Sequence, residues 1–310
     1  MRPTTRLKQL FNGPRLFVLP GVCNALQAKM VEALGYEAVY VSGGLTSAQY
    51  GFPDVGLTTM TEVVANAGYV AAATKLPVLS DADTGYGNAI NVRRTVQAFI
   101  RAGVAGVHIE DQLAPKRCGF VTGKQLIPLE EAVGKYRAAL DARDELDPDF
   151  VIVARTDART AAGGGLEEAL RRAKAYKAAG ADVVYFEGPQ SLAELRMARD
   201  AVAGPLMCTG SAMEPHPSLE ELEALGVSVG FFPGLASEPG NLASWDFLAD
   251  FKVRGMDAMR EFRARTKGHP LSRFKLNDLL GTPQIRAMEE KYLPAEEMAK
   301  YDGSQGIYTP

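Results

Sequence analysis

The sequence predicts an α/β protein, a (β/α)8 barrel of the TIM type followed by a C-terminal helical extension. Three observations carry the prediction. Eight short apolar or β-branched runs recur, each ending in polar or glycine residues and each followed by a helical pattern. Strands alternating with helices imply right-handed βαβ units and a parallel sheet, and eight units over about 240 residues suit closure into a barrel. No G-x-G-x-x-G follows the first run, which argues against an open doubly wound sheet.

The first strand is expected at Leu16–Leu19, ended by Pro20-Gly21, with a helix over Ala25–Leu34. The second, Ala38–Val41, ends at Ser42-Gly43-Gly44, and a long loop holding Asp54 precedes a helix over Met60–Thr74. Val78-Leu79 is the third, leading into S-D-A-D-T-G-Y-G (Ser80–Gly87) and a helix over Ala89–Ala102. Gly106–Ile109 is the fourth, ending at Glu110, with its helix at Leu129–Glu145. The fifth, Phe150–Ala154, ends at Arg155-Thr156-Asp157 before a helix at Leu166–Ala179. The sixth, Val183–Phe186, ends at Glu187-Gly188-Pro189 before Leu192–Ala201. The seventh, Pro205–Cys208, ends at Thr209-Gly210 before Leu219–Leu225. The eighth, Val227–Phe232, ends at Pro233-Gly234 before Leu242–Arg254. Residues 1–255 are expected to form the barrel domain. Residues 256–310 form the extension, with S-R-F-K-L-N-D-L-L-G (Ser272–Gly281) and helices near Gln284–Tyr292 and after Pro294.

Composition narrows the function. A hydrophobic share of 46% and a charged share of 23% are those of an ordinary globular protein with a large core. A net charge of −3 gives no sign of a nucleic-acid or membrane-surface partner. Cys23, Cys118 and Cys208 are too widely spaced for a disulfide framework or a zinc site. No apolar run approaches a membrane span, and the basic, amphipathic N-terminus reads as a short outer helix rather than a signal peptide. A cytoplasmic enzyme acting on a small molecule is expected.

In a barrel of this kind the active site lies at the C-terminal ends of the strands. The residues there are Ser42, Gly43, Gly44, Asp81, Asp83, Glu110, Arg155, Glu187 and Thr209. Carboxylates converging on one mouth repel one another. A divalent cation relieves that repulsion, and hard oxygen ligands suit Mg2+, or Mn2+. Asp81 and Asp83 are the expected metal residues, with capping and turn formation as the plainer role. The planar guanidinium of Arg155 suits a substrate carboxylate, alongside or instead of an ion pair with Glu110 or Glu187. Ser42-Gly43-Gly44 offers a hydroxyl and backbone N–H groups to a carboxylate or oxyanion, or is a simple strand-to-loop turn. Tyr40 shares the face of Ser42 and is either core filling or a proton donor.

Between Val107 and Lys124 a short strand gives way to Glu110 and a glycine-punctuated loop carrying Lys116, Arg117 and Cys118. Flanking cations are expected to lower the thiol pKa and make Cys118 competent for proton transfer or attack; the alternative is an inert buried thiol. His108, inside an apolar run, reads as a satisfied core histidine, and Cys23 and Cys208 as packing residues. His216 and His269 lie in proline-containing loops without ligand spacing.

S-G-G (Ser42–Gly44), D-x-D-T-G-Y-G (Asp81–Gly87), E-D-Q (Glu110–Gln112) and K-R-C-G (Lys116–Gly119), in this order, resemble the isocitrate lyase/phosphoenolpyruvate mutase superfamily, above all its short methylisocitrate lyase branch. The resemblance runs from about Pro14 to Gly281. It implies a (β/α)8 barrel, Mg2+, C–C bond cleavage or formation beside a 2-oxo acid, and a homotetramer, a dimer of dimers, with C-terminal helices swapped between subunits. It implies that Asp81 and Asp83 hold Mg2+ largely through water, with Asp54 linked to that site. Ser42, Gly43, Gly44 and Arg155 would bind the glyoxylate or pyruvate half, Glu110 and Glu187 would support them, and Cys118 would protonate the carbanion from a mobile gate that includes Lys116, Arg117 and Gly119.

Three positions depart from that pattern. Phe120 stands where the lyase loop continues with histidine, Cys208–Glu214 reads C-T-G-S-A-M-E with Thr209 in place of an asparagine motif, and Glu238 aligns where an arginine is usual. Burying a carboxylate without its cation costs several kcal/mol. The oxo-acid half of the substrate is therefore expected to be kept, with a larger or more apolar second half. The leading expectation is a Mg2+-dependent lyase of a methylisocitrate- or dialkylmalate-like acid. The same fold also serves oxaloacetate decarboxylation or hydrolysis, phosphonopyruvate-type mutation, or plain 2-oxo acid binding.

Overall fold

The computed structural model describes residues 1–210, 213–272, 274–306 and 308. Among them, eight parallel strands close into a barrel in sequence order: β1 (Phe17–Val22), β2 (Val39–Val41), β3 (Val78–Asp81), β4 (Gly106–Glu110), β5 (Val151–Thr156), β6 (Val183–Phe186), β7 (Leu206–Thr209) and β8 (Val229–Phe232). Pairing of β1 with β8, Phe17 opposite Val229, completes the ring. The predicted barrel is the one observed.

The helices follow the expected alternation: α1 (Pro3–Phe11), α2 (Ala25–Ala33), α3 (Gly43–Gln49), α4 (Met60–Ala73), α5 (Ala89–Arg101), α6 (Leu129–Leu146), α7 (Leu166–Ala178), α8 (Leu192–Ala201), α9 (Leu219–Ala224) and α10 (Glu238–Arg254). Their starts are written locally. Thr59 and Glu62 form a capping box at α4, as do Asn88 with Asn91 at α5 and Ser218 with Glu221 at α9. Each such cap satisfies orphan N–H groups and is worth about 1 kcal/mol.

Two elements differ from expectation. The segment after Ser42 was expected as loop, yet Ser42 caps α3 by accepting a hydrogen bond from the Leu45 N–H. The N-terminal helix α1 lies across the barrel floor instead of on the outside. Its Leu7 and Phe11 are buried in the same apolar cluster as Phe17, Leu79, Val151 and Val229.

Period-2 alternation sorts the strand side chains. Leu19, Tyr40, Leu79, Val153, Tyr185, Met207 and Phe231 pack together inside the barrel. Val41, Val107, Ile109 and Ile152 pack outward with α4, α5 and α6, and Val184, Leu206 and Cys208 pack with α7 and α8. The inward register continues upward from that interior set, which delivers Ser42, Asp81, Glu110, Arg155, Glu187 and Thr209 to the mouth.

The chain divides into two compact units, Met1–Glu238 and Pro239–Pro310. The second contains α11 (Met256–Arg265), α12 (Lys275–Leu280), α13 (Thr282–Tyr292) and α14 (Ala295–Met298). Within it Ala258 is buried, whereas Leu242, Trp245, Leu248 and Val253 are exposed. Of Cys208–Glu214, Ser211 and Ala212 lie outside the described residues.

Candidate active site

A cavity of about 390 Å3 opens at the C-terminal mouth and is lined by Tyr40, Ser42, Gly44, Asp54, Asp81, Lys116, Cys118, Gly119, Phe120, Arg155, Glu187 and Thr209. Asp81 anchors it. Its Oδ2 accepts from the Tyr40 hydroxyl (3.1 Å) and the Gly43 N–H (3.2 Å), and its Oδ1 from the Asp83 N–H (2.8 Å). Burial opposes ionisation of this carboxyl, but His108, with Lys116 and Arg155, outweighs burial and holds it below the usual carboxylate range. Asp81 is therefore a fixed anion. Burial pushes Asp83 the other way, up to about 6, with Lys116 opposing and Asp81 adding to the rise. Asp83 and Tyr86 both take positive φ, 46° and 58°. Such backbone costs about 1–3 kcal/mol and collects at functional sites.

Gly43 is dictated by contact. A β-carbon there would lie 2.5 Å from Asp81 Oδ2. Gly43→Ala is expected to destabilise the fold by about 1–3 kcal/mol through overpacking against an immovable carboxylate. Urea denaturation measures it; an unchanged midpoint would show that Asp81 yields freely.

The Lys116 ammonium is buried among the acids, 2.5 Å from Asp54 Oδ1 and 3.0 Å from Asp83 Oδ1. Burial works against its charge, but Glu110, Asp83, Asp81 and Asp54 together hold its pKa well above the ordinary lysine value. Asp54 Oδ1 and Asp83 Oδ1 face only this ammonium, and the buried Glu110 Oε1 accepts no hydrogen bond. Burial raises Glu110 well above its usual value, against Arg155 and Lys116.

Arg155 is gripped by an acid that the sequence reading left without a role. Asp157 accepts from its Nε and Nη2, both at 2.9 Å, while Glu110 and Glu187 stand at 3.4 and 3.7 Å. Asp157 is itself placed by Asp111, whose Oδ1 accepts its N–H at 2.9 Å. Asp111 Oδ2 in turn accepts from Tyr176 (2.6 Å) and Arg172 (3.1 Å). Arg172 also donates to the Ile127 carbonyl, so this cluster secures the far end of the Cys118 loop as well. Tyr185 donates to Glu187, whose pKa burial raises against Arg155.

The Cys118 loop lies down on the mouth. The Cys118 N–H donates to the Asp54 carbonyl, and Gln112 holds both backbone groups of Arg117. A β-carbon on Gly119 would come within 2.7 Å of Arg155 Nη2 and 2.9 Å of Glu187 Oε1, so the loop's backbone rests directly on those side chains. Lys124 donates to the Gly119 carbonyl.

The thiol corrects the sequence expectation. Burial raises the Cys118 pKa, and Asp54 adds to the rise, against the Phe120 N–H, Lys116 and Arg155. The flanking cations do not outweigh burial: Lys116 lowers the thiol pKa but is itself paired with Asp54 and Asp83, and the Arg117 side chain is exposed, outside the cavity lining. The thiol is thus protonated at neutral pH.

His108 corrects a second expectation. Its Nε2 bonds the Tyr40 hydroxyl at 2.7 Å, but its buried Nδ1 has no partner, so it is half satisfied. Tyr40 both fills the barrel interior and hydrogen-bonds, and burial beside Asp81 keeps its phenol protonated. Thr209 Oγ1 is buried without a hydrogen-bond partner. Cys208 faces outward among apolar side chains, as expected, with burial pushing its thiol up to about 12. Asp157, Tyr185 and His108 were findable: each continues the inward alternation of its strand.

A family model described as phosphoenolpyruvate phosphomutase matches residues 7–234. The chain is 39% identical to 2,3-dimethylmalate lyase from Eubacterium barkeri, over 94% of this chain and 99% of that one. It is 38% identical to 2-methylisocitrate lyase from Shewanella oneidensis, over 93% and 92%. A crystal structure of 2,3-dimethylmalate lyase superposes with a TM-score of 0.86 and 31% identity, covering 99% of each chain. With the closed barrel and this mouth, the chain belongs to the isocitrate lyase/phosphoenolpyruvate mutase superfamily.

Proposed function

We propose that this protein is an oxo-acid lyase, cleaving a C–C bond of a substituted 2-hydroxy di- or tricarboxylic acid to a 2-oxo acid, pyruvate or glyoxylate, and a second carboxylic acid. The observation that carries the reading is one cavity in which a protonated thiol, Cys118, and a guanidinium held by Asp157 line the same space. A donor for a carbanion and a binder for an oxo acid are the two groups that such a cleavage needs.

The unpartnered Glu110 Oε1, with the Asp54 and Asp83 oxygens that already gather around the Lys116 ammonium, suits a cation. Among the described residues no three Asp, Glu, His or Cys side chains gather closely enough to ligate a metal alone. The residues therefore fit an ion that keeps much of its water, as Mg2+ does, with Mn2+ as the alternative. Asp81 and Asp83 would hold it, with Asp54 and Glu110 reaching it through water. When bound, it supplies positive charge against the oxygens of the oxo-acid half.

The chain's own residues supply the rest. Ser42, Gly43, Gly44 and Arg155 orient the oxo-acid half, and Thr209 Oγ1 offers a free hydroxyl. Tyr40 donates a hydrogen bond. Glu187, made more basic by burial, accepts the proton of the 2-hydroxyl. The C–C bond breaks, its electron pair goes to the neighbouring carbon, and the Cys118 thiol protonates that carbon. Lys116 keeps the loop down by pairing with Asp54 and Asp83, while Gly119 lets it approach; Arg117 contributes through its backbone.

Incubation with methylisocitrate, isocitrate and 2,3-dialkylmalates, trapping the 2-oxo product, tests the reading. Chelation is expected to abolish turnover and Mg2+ to restore it. Absence of any 2-oxo acid, with CO2 or acetate released from oxaloacetate instead, would sink it.

The reading also takes the enzyme as cytoplasmic and homo-oligomeric, a dimer of dimers, with residues 256–310 as an extension exchanged between subunits. No helix among the described residues is long and apolar enough to cross a membrane. Support for assembly comes from large apolar side chains left open on α10, Trp245 at 76% and Val253 at 84%, a pattern that marks interaction surfaces. Light scattering that gives a monomer mass would overturn it.

A further inference from the structure

The mouth cavity does not end at Phe120. A second pocket of about 550 Å3 adjoins it, and the two share Phe120, Phe231, Pro233 and Gly234 as walls. Its lining is mostly apolar, with Phe120, Pro217, Leu222, Phe231, Phe232 and Leu235. Among the described residues its polar side chains are His216 and Glu238, so a carboxylate entering it would face an acid with no described lysine or arginine to receive it. Phe120 lies two residues beyond Cys118, on the same loop, so the pocket opens beside the carbon that receives the proton.

We propose that this second pocket is an alkyl subsite, and that the substrate carries an unbranched chain of several carbons on C3, the carbon that becomes the carbanion. The inference rests on the lyase reading for its chemistry, and the pocket sets the substituent. The reaction is redox-neutral: the C2–C3 bond of a 3-alkylmalate breaks, C2 becomes the carbonyl of glyoxylate as its hydroxyl proton leaves, and C3 keeps the electron pair and takes the thiol proton. The second product is a straight-chain fatty acid. A methyl on C2 gives pyruvate in place of glyoxylate. Volumes of several hundred Å3 are those of ordinary ligand pockets, and each methylene moved from water to an apolar wall favours binding roughly fourfold.

The test uses the full chain with Mg2+ and a series of 3-alkylmalates from methyl to octyl. Binding is read by calorimetry, and cleavage by trapping glyoxylate. Affinity and kcat/KM are both expected to rise about fourfold per methylene until the pocket fills. Leu235→Trp, which fills the pocket from its exposed rim, is expected to flatten the series. Glu238→Lys is expected to shift preference toward a 3-substituent ending in carboxylate, by roughly 10-fold or more relative to the alkyl acid. An affinity that is flat or falls with chain length overturns the subsite, whether or not glyoxylate forms. Rising affinity with no glyoxylate from any member leaves the subsite standing and overturns the lyase reading. A series unchanged by Leu235→Trp places the chain elsewhere and overturns the assignment.

Discussion

Cys118→Ala is expected to lower kcat/KM for C–C cleavage by about 10²- to 10⁴-fold, the contribution of a positioned proton donor. The fold should survive, because Cys118 is only partly buried and its loop is held by backbone bonds from Cys118 to Asp54 and from Gln112 to Arg117. The residual product should then take its proton from water, so in D2O the variant is expected to lose the single stereochemistry at the new C–H(D) centre. The same thiol predicts a pH signature. Burial raises its pKa, so the thiolate fraction at neutral pH is small and rises about tenfold per pH unit until the raised value is reached. Alkylation by iodoacetamide, followed on the Cys118 peptide to separate it from Cys23 and Cys208, should accelerate through pH 7–9 without a plateau. A plateau near pH 7 would mean a stabilised thiolate, a nucleophile rather than an acid, and the proposed step would fail.

That reversal marks where sequence reading stops. The strand–helix alternation made the barrel legible, because parallel strands need crossover helices and eight units leave no edge. The mouth acids and Arg155 were legible for the same reason: each sits one step beyond an apolar run, on its inward register. The direction in which a long side chain turns is not written locally. Lys116 and Arg117 both precede Cys118, by two residues and one, yet the first is buried against Asp54 and Asp83 and the second is exposed. Their effect on the thiol therefore depends on a loop more than 60 residues away in the chain. α3 was missed because Ser42-Gly43-Gly44 looks like turn material, and only the cap at Leu45 and the close approach to Asp81 give those residues their helix. The role of Asp157 was hidden by its neighbour: it lies just past the end of β5, two residues after Arg155, and the guanidinium folds back onto it.

Arg155→Met should have the largest effect on stability, about 3–5 kcal/mol, because it strands three buried acids without their shared cation. Asp157 loses two charge-assisted hydrogen bonds, and Glu110 and Glu187 lose the strongest influence opposing their burial. The sign with pH follows from that burial. Glu110 and Glu187 already bind protons more tightly in the folded chain than in the unfolded one, and without the guanidinium their pKa values rise further. The folded state then holds more protons than the unfolded state from the usual carboxylate range upward, so stability falls as pH rises through that window. The deficit relative to wild type should be full near pH 8 and shrink toward pH 5, measured as the urea midpoint at each pH. Arg155→Lys separates folding from binding. It restores the charge and much of the stability but not the planar fork, and kcat/KM should stay reduced roughly 10- to 100-fold, the range for lost hydrogen bonds to charged groups. A pH-independent deficit in Arg155→Met would mean that Glu110 and Glu187 do not sense the guanidinium. Full activity in Arg155→Lys would remove Arg155 from the oxo-acid site.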